Sequence, residues 1–164
     1  MNPTLVRVNR TALLQALVGA YPNALPAAYL KTLSPNFDRD IAWLEQSGYA
    51  HEGRATAAGV DANLGILKSP LIVEVASAEV VKIRLWRRQI LEVLHEMSPG
   101  QAQYDFVRIL MLEQGCDQVA GILQYLVERK LVDDCQGGYR ITPNGSDIVD
   151  GISPHPDWLI ELGE

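Results

Sequence analysis

The sequence lacks the features that mark membrane, secreted or metal-binding proteins. It has two cysteines, Cys116 and Cys135, which are too few for a disulfide framework and lack the CxxC spacing of a structural metal site. Its longest apolar runs, such as 71–76, are interrupted by Glu74 within a few residues, and its first residues contain no apolar signal core. We therefore expect two reduced thiols, no membrane span and a cytoplasmic location.

Motifs of catalysis and cofactor binding are missing as well. No Ser/His/Asp order, paired-carboxylate cleft, GxGxxG loop or Walker loop occurs at a usable spacing. The three histidines are scattered at His51, His95 and His155, and no close ligand pair joins His155 to Cys116 and Cys135. We predict a protein that is not an enzyme and that has no cofactor, no metal site and no small-molecule substrate.

The charge of the chain is unevenly distributed. The 164 residues include 48% hydrophobic and 21% charged residues, as in globular proteins, and the formal net charge is −6. Residues 1–65 carry five basic and five acidic side chains, whereas residues 98–164 carry four basic and eleven acidic ones. Because phosphates repel a negative surface, the second half is a poor candidate for binding nucleic acid.

An internal repeat is the most informative feature of the sequence. Segments 54–65 and 140–151 share Arg, Thr, Gly, Asp and Gly at one constant offset of 86 residues. Upstream, the apolar segments 13–17 and 90–94, each followed by an X-Pro pair, match at an offset of 77, and a third match near 82 relates 43–45 to 125–128. Loop insertions produce such a drift of the offset.

Hydrophobic periodicity and turn residues predict one order of elements in both copies: three helices followed by a two-stranded hairpin. In the first copy these elements are expected at 9–21, 26–32, 34–48 and 49–56. In the second copy they are expected at 77–97, 104–113, 117–127 and 131–141. The predicted helix caps are Asn9, Ser34 and Asp117.

Both copies resemble winged-helix domains, a variant of the helix-turn-helix. The resemblance is carried by LVERKLV at 126–132 with YRITPNG at 139–145, and by WLEQSGY at 43–49. It implies a mainly α fold with small β wings, divided into a first domain, a linker with the start of a long helix, a second domain and a tail: 1–65, 66–83, 84–151 and 152–164. The run RDIAWLEQSGY at 39–49 is also similar to small winged-helix proteins of Mu-like phages, which implies a phage or prophage origin.

Winged helices include DNA readers and protein adaptors, so the resemblance implies two functions. A DNA reader places the front of its third helix in the major groove and adds basic contacts to phosphates. The basic or amide groups that the pattern places on a third helix, a wing or one face of the long helix are Asn36, Arg39, Arg54, Arg84, Arg87 and Arg88. The alternative for the last three is an ordinary solvated helix face.

A second set of residues offers more apolar surface than one small domain needs. These residues lie on the long helix and in the tail: Ile83, Trp86, Ile90, Trp158, Leu159 and Ile160. Because the charge distribution disfavours DNA, we predict a non-catalytic protein-interaction adaptor that binds a protein partner or self-associates through these residues. The alternative is a DNA-binding transcriptional regulator that contacts double-stranded DNA through its first domain.

Overall fold

The computed structural model describes residues 2–73, 75 and 77–159, and the chain divides into two compact units, 1–76 and 77–164. The boundary falls inside the predicted linker, because 66–73 belong to unit 1 and 77–83 begin a helix of unit 2. Each unit is mainly helical and has a small antiparallel sheet. Within the described residues, no helix combines the length and the apolar character needed to cross a membrane.

Unit 1 follows the predicted order and then adds a helix after the hairpin. Its elements are α1 (Pro3–Ala20), α2 (Ala27–Leu30), α3 (Phe37–Gln46), β1 (Ala50–His51), β2 (Arg54–Ala55) and α4 (Ala57–Leu64). Leu13, Leu14 and Leu17 recur at the helical period along α1 and pack with Leu30 and Leu44 in the core. The first and third helices therefore enclose the centre of the unit.

Unit 2 repeats this order with longer elements. They are α5 (Ser77–Met97), α6 (Tyr104–Leu112), α7 (Val119–Glu128), β3 (Val132–Asp134), β4 (Tyr139–Ile141) and α8 (Pro143–Val149). The three predicted helices and the hairpin of this half are confirmed, and α8 is again an additional helix. Ile90 and Leu94 of α5 are buried together with Val107 of α6 and Leu123 of α7.

The first helix begins earlier than predicted. The Oδ1 atom of Asn2 accepts a hydrogen bond from the Thr4 N–H at 3.0 Å, and Pro3 occupies the first helical position. The predicted cap, Asn9, is buried inside the helix. The prediction was wrong because the apolar period starts at Leu13, whereas the helix extends beyond its buried part toward the N-terminus.

Two other predicted caps are also wrong, but here the helix begins later than predicted. α3 is preceded by Asn36 and α7 by Gln118, rather than by Ser34 and Asp117. Ser34 is buried, and its hydroxyl donates to the Oδ2 atom of Asp40 at 2.7 Å. The hydroxyl of Ser34 therefore serves a buried carboxylate.

The repeated Thr-x-x-Gly motif starts the fourth helix of each unit. The Thr56 hydroxyl donates to the carbonyl oxygen of Gly48 at 2.5 Å and accepts from the N–H of Gly59 at 3.1 Å. These bonds join the second residue after α3 to the first turn of α4. Unit 2 repeats both bonds, at 2.8 and 3.2 Å, with Lys130, Thr142 and Gly145.

The glycine of this motif is required by a close backbone approach. A Cβ added at Gly59 would lie 2.1 Å from the carbonyl oxygen of Tyr49. One added at Gly145 would lie 2.5 Å from the carbonyl oxygen of Leu131. Since a backbone carbonyl cannot move aside as a flexible side chain can, only glycine fits here. The motif therefore fixes how closely the fourth helix of each unit approaches the backbone that follows the third helix.

Replacing Gly59 or Gly145 by alanine is expected to lower the free energy of unfolding by roughly 1–3 kcal/mol, because the added methyl group overpacks against backbone. Urea unfolding followed by circular dichroism would measure the change. The control is Gly19→Ala in α1, where no atom lies within 4 Å of the added Cβ and where helix propensity should raise stability by roughly 0.5–1 kcal/mol. Equal effects at all three positions would contradict the role of the motif.

Candidate functional site

The structure buries the predicted basic face of the long helix inside unit 2. Arg87 is 1% exposed and Arg88 is 8% exposed. The Arg87 guanidinium lies 3.6 Å from the ring centroid of Tyr125 and donates to the carbonyl oxygen of Trp158 at 3.2 Å. Arg88 donates to the carbonyl oxygen of Val149 at 3.4 Å. The prediction that these two arginines contact DNA is therefore corrected: they hold unit 2 together.

The C-terminal tail folds against its own unit through the same row of arginines. Arg84 donates to the carbonyl oxygen of Leu159 at 2.8 Å. The rings of Trp158 and Tyr125 meet edge to face, with centroids 5.4 Å apart. The side chain of Leu159 is fully buried. Trp158 and Leu159 therefore pack on α5 and α7 of their own unit, whereas the sequence pattern predicted that they contact a partner or a second copy.

The predicted apolar interaction surface is corrected by the same observation. Ile83 and Ile90 are buried in unit 2 together with Leu159, so these side chains stabilise the unit instead of facing a partner. Trp86 is partly exposed, and its indole N–H donates to the carbonyl oxygen of Gln114 at 3.3 Å. Ile160 lies outside the described residues.

Sequence reasoning missed that this arginine row is itself repeated. The offset of 77 that relates the buried segments of α1 and α5 also relates Arg7 to Arg84 and Arg10 to Arg87. Arg10 lies 4.5 Å from the ring centroid of Trp43, which corresponds to Tyr125, and Arg7 donates to a carbonyl oxygen at 2.7 Å. The offset of 77 residues, which relates the apolar side chains of α1 to those of α5, also relates these arginines.

The DNA-contact candidates of unit 1 remain near the surface. Asn36 and Arg54 are exposed. Arg39 is partly exposed, and its guanidinium lies 3.3 Å from the carboxylate of Asp40. Lys31, Asn36 and Arg39 all line an open depression of about 480 Å³ at the start of α3. Two cations and an amide are thus brought together at the front of the third helix.

Exposed apolar side chains are concentrated on α6. Phe106, Ile109 and Leu112 are 46%, 53% and 48% exposed, whereas Val107 and Met111 are buried. At 100° per residue the three exposed residues share one side of the helix, and we call them the α6 face. In unit 1 the helix at this place in the order is α2, which spans four residues. The repeated fold therefore does not require the α6 face.

Carboxylates flank the α6 face at both ends. Asp105 precedes it, and Glu113 and Asp117 follow it, all three with exposed side chains. Arg108 lies 3.6 Å from Asp105, and both side chains are largely open to solvent. Residues 77–164 contain fourteen acidic and eight basic side chains, and the described structure uses Arg84, Arg87 and Arg88 for internal bonds. Three carboxylates and one arginine thus lie along and beside α6, in a unit whose sequence has a net negative charge.

An open pocket of about 300 Å³ lies between the start of α6 and the hairpin of unit 2. Ala102 and Tyr139 exchange two backbone hydrogen bonds of 2.8 Å, which brings these segments together. Tyr104, Asp105, Asp134 and Tyr139 line the pocket. Burial, with the nearby Asp134 carboxylate, raises the pKa of the Tyr139 phenol. The pocket thus combines two tyrosine rings with two carboxylates.

Neither a metal-binding cluster among the described residues nor a similarity to known proteins points to a function. In the described part of the chain, no three His, Cys, Asp or Glu side chains are close enough together to hold a metal ion. Cys116 and Cys135 are both free thiols. No protein-family model, curated protein or solved structure matches the chain significantly. The residues described above are the basis on which a function is inferred.

The contact between His95 and Asp150 predicts a pH-dependent stability. His95 Nε2 lies 2.7 Å from Asp150 Oδ1, and this hydrogen bond raises the pKa of His95 above its ordinary value of 6.5. A raised folded-state pKa adds stability that is present below the unfolded-state pKa and is lost as the pH rises through the folded-state value. His95→Gln should therefore lower the free energy of unfolding more at about pH 5.5 than at about pH 8.5.

Urea unfolding of the full chain at both pH values would measure this difference. Asp150→Asn is the matched variant, because it removes the carboxylate charge that favours the protonated imidazole while keeping the imidazole itself. It should show the same pH dependence as His95→Gln. A loss of stability that is equal at the two pH values would contradict the assigned role of the pair.

Proposed function

We propose that this protein is a non-catalytic protein-interaction adaptor built from two tandem winged-helix domains, and that its second unit binds a partner protein through the α6 face. The winged-helix assignment is supported by the same order of elements in both units and by the repeated Thr-x-x-Gly contacts. The observation that carries the adaptor function is the exposure of Phe106, Ile109 and Leu112 on one side of α6. Large exposed apolar patches mark interaction sites.

The energetics of the α6 face indicate an interface with a polar component. A fully buried large apolar side chain contributes roughly 1.5–3 kcal/mol, so covering these half-exposed side chains contributes roughly 1 kcal/mol each. Association costs at least about 4 kcal/mol in lost translational and rotational freedom. The face therefore needs further contacts around it, and the flanking carboxylates are the groups available for them.

The negative surface of unit 2 also separates a protein partner from nucleic acid. Phosphate contacts supply much of the affinity of DNA-binding proteins and depend on free Lys and Arg side chains. In unit 2, Arg87 and Arg88 are buried. Where a DNA reader presents basic groups, Gln118 precedes α7 and Gly121 and Gln124 lie on it. A protein partner is the better match for this surface.

Site-directed photocrosslinking in the native cells tests the adaptor function. A photoreactive residue at position 109 should capture a partner that the same residue at position 152 does not, because Ile152 is 73% exposed but lies outside α6. The captured protein is then purified, and its binding is measured by calorimetry. Ile109→Asp should weaken binding at least about tenfold, because it places a charge in the buried centre of the contact, whereas Ile152→Asp should not. Equal binding by both variants would refute the assignment of α6.

A DNA-binding transcriptional regulator that uses unit 1 is the second candidate function. It is supported by the position of Lys31, Asn36 and Arg39 around the depression at the start of α3 and by the exposed Arg54 on β2. The net charge of this unit argues against DNA binding, since residues 1–76 carry six basic and six acidic side chains.

An electrophoretic shift with random duplex DNA at low and physiological salt tests this second function. If unit 1 binds DNA, the affinity of the parent should fall by about 0.9 log unit per log unit of salt for each phosphate contact. Replacing Arg39 and Arg54 by alanine should abolish the shift. Neutralising Asp133 and Asp134 in unit 2 should leave binding intact or strengthen it. The DNA-binding function is refuted if the parent protein shows no shift at low salt, or if the double variant binds DNA as tightly as the parent.

A further inference from the structure

We infer that the α6 face binds an amphipathic helix of a partner protein whose polar side is basic, and that one lysine or arginine of this helix enters the pocket lined by Tyr104, Asp105, Asp134 and Tyr139. We call this the Tyr–Asp pocket. The inference rests on the proposed function, because it names the chemistry of the partner for the same surface.

The pocket and the apolar face are continuous along one helix. Tyr104 and Asp105, at the start of α6, line the pocket, and the apolar face begins at the next residue, Phe106. From Phe106 to Leu112 the helix rises by about 9 Å, or 1.5 Å per residue. An amphipathic helix presents anchors at i, i+3, i+4 and i+7 over a similar length. One partner helix can therefore cover the face while a long side chain at its end reaches the pocket.

The lining of the pocket suits a cation. The face of a tyrosine ring attracts an ammonium or guanidinium group, and Tyr104 and Tyr139 provide two such rings beside the carboxylates of Asp105 and Asp134. The contact of Asp105 with Arg108 joins two solvent-exposed side chains at 3.6 Å, and exposed ion pairs of this kind contribute little. Asp105 can therefore exchange its partner for a cation of the bound helix.

Charge complementarity favours a basic partner over a second copy of this chain. A second copy would bring its own Asp105, Glu113 and Asp117 against the same carboxylates. Like charges placed opposite each other at an interface weaken association. A basic amphipathic helix pairs these carboxylates instead and supplies the polar contacts that the α6 face needs.

Binding of synthetic peptides to the full chain tests the inference. Four fluorescent peptides of about 18 residues are compared by anisotropy at physiological salt: three share one helical leucine stripe and carry lysine, glutamine or glutamate on the polar side, and the fourth is a scrambled form of the leucine–lysine peptide. The leucine–lysine peptide should bind at least about tenfold tighter than the other three. Ile109→Asp should weaken its binding by a similar factor.

A pair of double variants separates the pocket from general electrostatics. Asp105→Asn with Asp134→Asn should weaken binding of the leucine–lysine peptide severalfold and leave the leucine–glutamine peptide unchanged. The matched control, Asp38→Asn with Glu45→Gln, makes the same change of charge on exposed residues of α3 in unit 1, and should have little effect. An equal loss in both double variants would overturn the assignment of the pocket.

The remaining outcomes distinguish this inference from the proposed function. If the three striped peptides bind equally and Ile109→Asp weakens all of them, the α6 face is a docking site but its partner is not basic, so the inference alone fails. If none binds, or if Ile109→Asp has no effect, both fail. Sedimentation that shows a dimer dissociated by Ile109→Asp would make a second copy the occupant and overturn the inference.

Discussion

The stacking of an arginine of the first helix on an aromatic ring of the third helix is the contact on which each unit depends. In unit 2 this pair is Arg87 on Tyr125, at 3.6 Å from the ring centroid, with the arginine almost completely buried. A buried charge is tolerated only when it is paired and hydrogen-bonded. The carbonyl oxygen of Trp158 meets part of that requirement, so the position of the tail follows from the burial of Arg87.

The two units satisfy the same requirement differently. In unit 1 the buried Asp40 lies 3.5 Å from Arg10 and supplies a countercharge on α3. At the offset of 82 that relates the third helices, the residue of unit 2 in this place is Ile122, which has no charge to offer. In unit 2, backbone carbonyls of the tail accept hydrogen bonds from Arg84 and Arg87. Both the backbone and the side chains of Trp158 and Leu159 thus hold this part of the tail on unit 2.

Periodicity predicted the helices of unit 2 because each has a continuous buried stripe, as Ile90, Leu91 and Leu94 form on α5. It did not predict α4 and α8, which span eight and seven residues and begin at a side-chain cap rather than at an apolar repeat. The Thr-x-x-Gly motif marked their starting points, but as a pattern it did not show that a helix follows.

The functional residues were harder to predict, since periodicity shows which side chains share a face and not what covers that face. Arg84 and Arg87 do share a side of α5, but the tail returns from about seventy residues further along the chain to cover it. Conversely, α6 is apolar on more than one side, so its sequence does not distinguish the buried Val107 from the exposed Ile109.

The structure thereby separates two kinds of apolar surface that look alike in the sequence. The tail and α5 bury theirs against each other, because the arginines between them need the tail carbonyls as acceptors. Among the described residues, the tail makes no such hydrogen bonds over the α6 face. In unit 1, a helix of four residues occupies the same place in the order of elements. An apolar face that the fold does not require, set among carboxylates in the more acidic unit, is the observation from which we propose a partner protein.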